Sequence, residues 1–305
     1  MSLRSLHVIT NNSCNLRCGV CFLAEGSRSA ALSADALGHL STISADSITV
    51  QGGETLVYPA GMDFLCSLKN RQPTAWLHLV TNGVLIEQNI EALRAASLDR
   101  IDVSVDAASA ATYKAIRGGQ LTDVLNGIRL LKEGPNPPDV RVLWIAMRSN
   151  IEELMVASDV FAPLGVSGVR VDPLCRGADE AMCDSETLDE DGEARLRDIA
   201  TQAPSGFLDF SRVFIDESVR RPVCPAFYSG ALVDVDGAVK VCCGNWNHIG
   251  NINDTPLPEI LDVKMNDVLT NLQILAVQRR YADAGCLPHC TYIAKGRLMP
   301  DSGGA

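Results

Sequence analysis

Through residue 175 the chain alternates short strand-like apolar runs with amphipathic helix-like runs, and that alternation limits the folds open to it. The strand-like runs are Leu6–Thr10, Ser47–Gln51, Trp76–Thr81, Arg100–Val105, Val140–Met147 and Gly168–Asp172. Between them lie amphipathic stretches at Ser33–Ile43, Pro59–Asn70, Ile86–Ala96, Leu121–Lys132 and Ile151–Ala162. Repeated β–α units of this length imply an α/β fold, with a parallel sheet covered by helices. Right-handed crossovers curl such a sheet into a partial (β/α)6 barrel. Barrels place their chemistry at the C-terminal strand ends, so the residues just after each strand carry the functional information.

The first of those ends holds Cys14-Asn15-Leu16-Arg17-Cys18-Gly19-Val20-Cys21, a C-x3-C-x2-C run. Three thiolates so close together can hold three irons of a [4Fe–4S] cluster and leave the fourth iron open to a substrate. A ferredoxin-type run uses C-x2-C-x2-C and brings a fourth cysteine; the next one here is Cys66. The competing assignments are a zinc knot or scattered core cysteines. Zinc usually takes paired C-x2-C units, which this segment lacks.

The cysteine spacing resembles that of the radical S-adenosylmethionine (SAM) superfamily. In that family the open iron chelates SAM, and an electron from the cluster cleaves it to a 5′-deoxyadenosyl radical that removes a substrate hydrogen. Further segments resemble the family's SAM contacts. Gly52-Gly53-Glu54 resembles its GGE motif, which implies that glycine backbone and the Glu54 carboxylate meet the SAM ammonium. Val80-Thr81-Asn82-Gly83 reads either as a SAM contact at Asn82 or as a plain Asn-Gly turn. Val103-Ser104-Val105-Asp106 ends the fourth strand, where the resemblance implies polar contacts from Ser104 and Asp106 to the SAM ribose and carboxylate. Tyr113–Gly118 resembles a segment of the subgroup with C-terminal cluster domains. Its Arg117 reaches a SAM carboxylate or is a solvated helix residue. The family's usual aromatic before the third cysteine is replaced by Val20, with Phe22 beyond it.

Composition sets outer bounds. The 305 residues, 47% hydrophobic, suffice for one large domain or two smaller ones. No run of eighteen apolar residues and no basic-then-apolar start is present, so neither a membrane span nor a signal peptide is expected. Seven of the eleven cysteines fall in cluster-like groups, which fits a reducing cytoplasm better than a disulfide framework. The net charge is −11. Such a balance excludes general nucleic-acid binding and suits a cationic small molecule, or reflects solubility alone.

The acidic stretch 184–193 reads as a helix N-terminus or as a substrate-facing patch. Residues 176–220 read as a connecting segment. In the C-terminal part, Ala231–Val235 and Ala238–Val241 flank Asp236-Gly237, a hairpin signal expected to form a type I′ turn. A helical stretch follows at Leu257–Tyr281. Cys224, Cys242, Cys286 and Cys290 can close a second [4Fe–4S] cluster or a structural zinc site. Gly237-x4-Cys242 and His248–Ile252 resemble the opening of the twitch domain, the short form of the SPASM domain. The resemblance implies a barrel at 1–175 and a twitch auxiliary-cluster domain at 221–305. It also implies two [4Fe–4S] clusters, SAM, and an external electron donor such as a flavodoxin or ferredoxin.

The compact layout resembles the epimerases and dehydrogenases that act on aminoglycosides and aminocyclitols in antibiotic biosynthesis. Both abstract hydrogen from a carbinol carbon. A dehydrogenase then loses an electron and a proton, whereas an epimerase receives hydrogen on the opposite face, for which a thiol is a suitable donor. The expected activity is epimerisation, with Cys183 as donor and Cys175 and Cys243 as the next candidates. Cys66 reads as a core residue of its helix. A dehydrogenase, a peptide-modifying radical enzyme and an iron–sulfur electron carrier are the alternatives.

Overall fold

The computed structural model describes residues 3–21, 29–174, 180–203, 206–214, 230–240 and 248–266. Its strands are β1 (Leu3–Ile9), β2 (Ala45–Gln51), β3 (Trp76–Thr81), β4 (Arg100–Ser104), β5 (Asp139–Ala146), β6 (Gly168–Pro173), β7 (Leu208–Asp209), β8 (Gly230–Val233), β9 (Ala238–Lys240) and β10 (His248–Asn251). The helices are α1 (Ala34–Leu40), α2 (Pro59–Arg71), α3 (Ile90–Ala96), α4 (Ala110–Arg117), α5 (Leu121–Glu133), α6 (Leu154–Phe161), α7 (Glu180–Glu186), α8 (Glu190–Gln202) and α9 (Leu257–Asn266). One sheet runs β10-β9-β8-β1-β2-β3-β4-β5-β6-β7, with β1 to β7 mutually parallel. It stays open, with β7 and β10 at its edges, as a partial barrel requires.

Alternation along each strand sorts the two faces. Leu6, Val8, Ile48, Val50, Leu77, Leu79, Ile101 and Val103 are fully buried in the core shared with the helices. Burying each such side chain contributes about 1.5–3 kcal/mol before entropy is counted. The opposite face is polar, with His7, Thr49, His78, Asp102, Arg141 and Arg170 on successive strands. Helix starts follow local chemistry. Ser33 accepts a hydrogen bond from Ala36 N at α1, and Ser109 accepts one from Thr112 N at α4. Pro59 opens α2, where its missing N–H costs nothing. Asp189 caps α8 by accepting from Gly192 N at 2.9 Å, so the acidic stretch does mark a helix N-terminus.

The segment read as a connection, 176–220, contributes α7, α8 and the added strand β7. The C-terminal hairpin extends the same sheet, since β8 pairs in parallel with β1 from Ser5↔Gly230 to Val8↔Val233. Its turn departs from the expected type I′. Only Gly237 takes positive φ, at 82°, and Asp236 does not, whereas type I′ needs it at both central residues. Gly237 N donates to Asp234 O and Asp234 N to Ala238 O, which is a tight turn followed by a left-handed glycine. Beyond α9, the expected helix to Tyr281 lies outside the described residues. No helix among the described residues is long and apolar enough to cross a membrane.

On the polar face Asp102 is fully buried. Arg141 grips it with two bonds, Nη2 to Oδ2 at 2.7 Å and Nε to Oδ1 at 3.2 Å. His78 Nε2 stands 3.2 Å from Oδ2 but off the line of a hydrogen bond. Burial works to raise the Asp102 pKa, but His78 and Arg141 outweigh it and hold the group at about 2. A carboxylate depressed in the folded state stabilises it above the unfolded pKa of about 3.9, and that stability is lost as pH falls through 2. The wild-type protein should therefore lose roughly 2–3 kcal/mol more than an Asp102→Asn variant between pH 5 and pH 2. Urea titrations of both proteins across that range measure the difference; parallel curves would show that the fold does not depress the Asp102 pKa.

Candidate active site at the strand ends

A cavity of about 390 Å³ opens at the C-terminal ends of β1 to β6. Cys14, Cys18 and Cys21 line it together with Gly52, Gly53, Asn82, Ser104 and Arg117. Residues from four separate strand ends thus converge on one space. Val80, Ile145, Asp172 and Arg212 complete much of the wall.

The cysteine loop is fixed from several sides. Leu16 N donates to Cys14 Sγ at 3.4 Å, and Asn82 Nδ2 donates to the same sulfur at 3.6 Å. Gly19 N donates to Ile116 O at 3.1 Å. Burial raises the pKa of both Cys14 and Cys18, against which Leu16 N–H favours the Cys14 thiolate and Arg117 the Cys18 thiolate. Among the described residues no three His, Cys, Asp or Glu side chains converge tightly enough for a single metal ion. The three thiols instead stand around a shared space, and soft sulfur ligands of this kind suit an iron–sulfur cluster. The residues present therefore fit the group that their spacing implies. Val20 packs with Ile116, Met147 and Leu174, while Phe22 lies outside the described residues.

The two glycines are required by close backbone approach. A Cβ on Gly52 would lie 2.7 Å from Asn11 O, and one on Gly53 would lie 2.4 Å from Asn12 O. Gly53 N donates to Asn11 O at 2.6 Å and Glu54 N to Ser13 O at 2.7 Å, stitching this turn to the chain leading into Cys14.

Glu54 is tied into the chain around it. Its side chain is buried behind the cavity wall, and its donors all come from the chain. Oε1 accepts from Leu56 N at 3.0 Å and Oε2 from Asn82 N at 2.7 Å, while the Thr81 hydroxyl lies 2.9 Å from both oxygens. Burial raises the Glu54 pKa, opposed first by the Asn82 and Leu56 amides. The carboxylate joins the turn after β2 to the turn after β3. Asp106 is likewise buried, with φ at 61°. Its Oδ1 accepts from Ile145 N at 2.7 Å and its Oδ2 from Arg117 Nε at 2.7 Å. Asp106 thus aims Arg117 into the cavity, so Arg117 is not a solvated helix residue. Gly118, at φ 77°, ends α4 just after it.

Cys183 is buried on α7 and is not part of the described cavity wall. Its neighbour Met182 rests on Gly19 of the cysteine loop, where a Cβ would lie 2.9 Å from the methionine methyl. Cys66 sits on α2 and donates to Ala92 O at 3.6 Å, in keeping with a core role. Cys175, Cys224, Cys242, Cys243, Cys286 and Cys290 lie outside the described residues. Two wall residues were missed in the sequence, Asp172 and Arg212. Asp172 carried a usable signal, since it closes the sixth strand at the functional end of the barrel. Arg212 follows β7, which no periodicity marked.

A family model described as the radical SAM superfamily matches residues 8–156. A GTP 3′,8-cyclase of Geobacter sulfurreducens is 33% identical over 152 residues, covering 47% of this chain and 46% of that protein. A probable GTP 3′,8-cyclase of Methanococcus maripaludis is 30% identical over 172 residues, covering 53% and 57%. The chain thus spans about half the length of these curated relatives. Among solved structures, Streptococcus suis SuiB bound to S-adenosylmethionine matches with a TM-score of 0.69 at 18% identity, covering 88% of this chain and 67% of that one. BtrN in complex with AdoMet and 2-DOIA matches with a TM-score of 0.51 at 14% identity, covering 95% and 94%. At these identities the likeness is one of fold. The cysteine run, the GGE turn and most of the cavity wall fall within residues 8–156, the span that matches the radical SAM superfamily model.

Proposed function

We propose that this chain inverts a hydroxyl-bearing carbon of an aminoglycoside or aminocyclitol, using SAM as co-substrate. The charge of the cavity wall carries the substrate class. Among the described residues its charged groups are Arg117, Asp172 and Arg212. Each cation already has a carboxylate beside it, Asp106 for Arg117 and Asp172 for Arg212. With Arg117 given to the SAM carboxylate and Arg212 beside Asp172, the described wall has no pair of cations left for a triphosphate, whereas an amino-polyol needs none. The net charge of −11 agrees with a cationic substrate.

In this reading Cys14, Cys18 and Cys21 hold the SAM cluster. The cluster, when bound, supplies the electron that splits SAM and so starts hydrogen abstraction. Gly52 and Gly53 let backbone approach the SAM amino group, Ser104 serves its ribose, and Arg117 meets its carboxylate. Cys183 returns hydrogen to the carbon, which requires α7 to shift toward the cavity. The thiyl left behind takes an electron and a proton from an external donor of flavodoxin or ferredoxin type. The Cys224, Cys242, Cys286 and Cys290 set would hold a twitch-type auxiliary cluster, an electron acceptor in the dehydrogenase alternative.

A second reading is GTP 3′,8-cyclisation, favoured by the sequence likeness to proteins of that name. Incubation of the reconstituted protein with SAM, dithionite and either neamine or GTP in deuterated buffer separates these. Epimerisation places one solvent deuterium at the inverted carbon of neamine. Cys183→Ala should lose the epimer while 5′-deoxyadenosine still forms. A ketone product alone would establish the dehydrogenase, and turnover of GTP alone the cyclase. An unchanged epimerisation rate in Cys183→Ala would exclude this thiol.

A further inference from the structure

Asp172 is the only carboxylate on the described wall of the cavity. It is the penultimate residue of β6, in register beside Ile145 of β5. Arg170, on the same face two residues earlier, holds Oδ2 through Nη2 at 2.7 Å and Nε at 3.0 Å. The other oxygen, Oδ1, is buried and has no hydrogen-bond donor among the described residues. Arg212 Nη1 stands 3.6 Å from it, close enough for an ion pair and too far for a hydrogen bond. Buried acceptors are almost always paired, so an orphan at a cavity wall needs an explanation.

The space between Oδ1 and the Arg212 guanidinium suits a group that donates to one and accepts from the other. A hydroxyl does both. An ammonium donates to the carboxylate but then meets a guanidinium. A phosphate accepts from the guanidinium but then meets a carboxylate. We propose that Asp172 accepts a hydrogen bond from a secondary hydroxyl of the substrate while Arg212 donates to that hydroxyl's oxygen. Arg170 is the positioning residue, since its two bonds to Oδ2 hold the carboxylate and leave Oδ1 beside Arg212. The pair then selects which ring carbon is presented to the side of the cavity lined by the cysteines. This inference rests on the cavity being the radical SAM site, and it covers any cyclic polyol, whether an amino-cyclitol or the ribose of a nucleotide.

The test uses the reconstituted, SAM-loaded protein under anaerobic conditions, with neamine and GTP as calorimetric probes. In Asp172→Asn the amide oxygen turns to the Arg170 donors, so the amide nitrogen faces the cavity and an acceptor becomes a donor. Binding of the probe should weaken about 10- to 100-fold. Among a set of monodeoxy neamines, one should bind wild type as weakly as neamine binds the variant, and the Asp172→Asn change should weaken it no further. A residue of purely structural importance would weaken all of them alike. Iron content and near-ultraviolet circular dichroism check folding; if Asp172→Asn does not fold, Arg212→Gln carries the same comparison. Unaltered affinity for the bound probe, or binding of neither probe by wild type, overturns the proposal. Binding of GTP alone, weakened by Asp172→Asn, supports it and removes the aminoglycoside reading. Formation of 5′-deoxyadenosine by the wild type, measured separately, shows whether the radical SAM reading itself has failed.

Discussion

Replacing Cys14, Cys18 and Cys21 together with Ala should remove about four irons per chain and all SAM cleavage. The three thiols line one cavity and are each anchored to it by the backbone around them. With all three gone, no other described side chain on that wall can hold iron through sulfur. If the C-terminal cysteines hold a second cluster, the wild type should carry about eight irons and the triple variant about half of that. Iron assay and 5′-deoxyadenosine formation after dithionite reduction read the two effects separately. Wild-type levels of 5′-deoxyadenosine from the triple variant would contradict the assignment of these thiols.

Glu54→Ala should be among the most destabilising single changes in the barrel. The carboxylate takes the Leu56 and Asn82 amides and the Thr81 hydroxyl, all in the buried turn region. Truncation strands these donors out of reach of water, at a cost of about 3–5 kcal/mol. The loss should appear as a lower urea midpoint in the reconstituted protein. SAM affinity should fall as well, because Asn82 and the Gly52-Gly53 turn lose the link that sets them against each other. Glu54→Gln keeps an acceptor and should recover part of the stability. A Glu54→Ala protein of nearly wild-type stability with SAM binding lost would mean that the carboxylate meets SAM directly, as the motif alone suggests.

The Glu54 case shows where sequence stops informing. The Gly-Gly-Glu run marks a turn at a strand end, and that placement follows from periodicity and barrel topology. Which way the carboxylate points depends on Thr81 and Asn82, 27 and 28 residues away on the next strand end. A single sequence carries no trace of that pairing. The same holds for Asp106, whose role as the anchor of Arg117 is set by a left-handed backbone and a bond across to β5. The six barrel strands were legible because each buries an alternating apolar face whose period survives in the sequence. β7, two residues long, is too short to show a period, and Arg212 beyond it was invisible for that reason. The turn at Gly237 was misjudged because Asp-Gly permits both a two-residue type I′ turn and the three-residue loop found, with Gly237 left-handed, and strand register decides between them. Cys183 illustrates the converse limit. It falls in the stretch 176–220, which read as a connection, yet a helix forms there, α7, so that Met182 covers Gly19 and the thiol is buried.

The cavity at the strand ends is expected to bind SAM at an iron–sulfur cluster held by Cys14, Cys18 and Cys21. Electron paramagnetic resonance of the anaerobically reconstituted, dithionite-reduced protein tests it most directly, with and without SAM. An open iron that binds SAM should change the spectrum when SAM is added, and 5′-deoxyadenosine should accumulate in the same sample, neither effect being seen in the triple cysteine variant. A reduced cluster whose spectrum is indifferent to SAM, with no 5′-deoxyadenosine formed, would contradict the account.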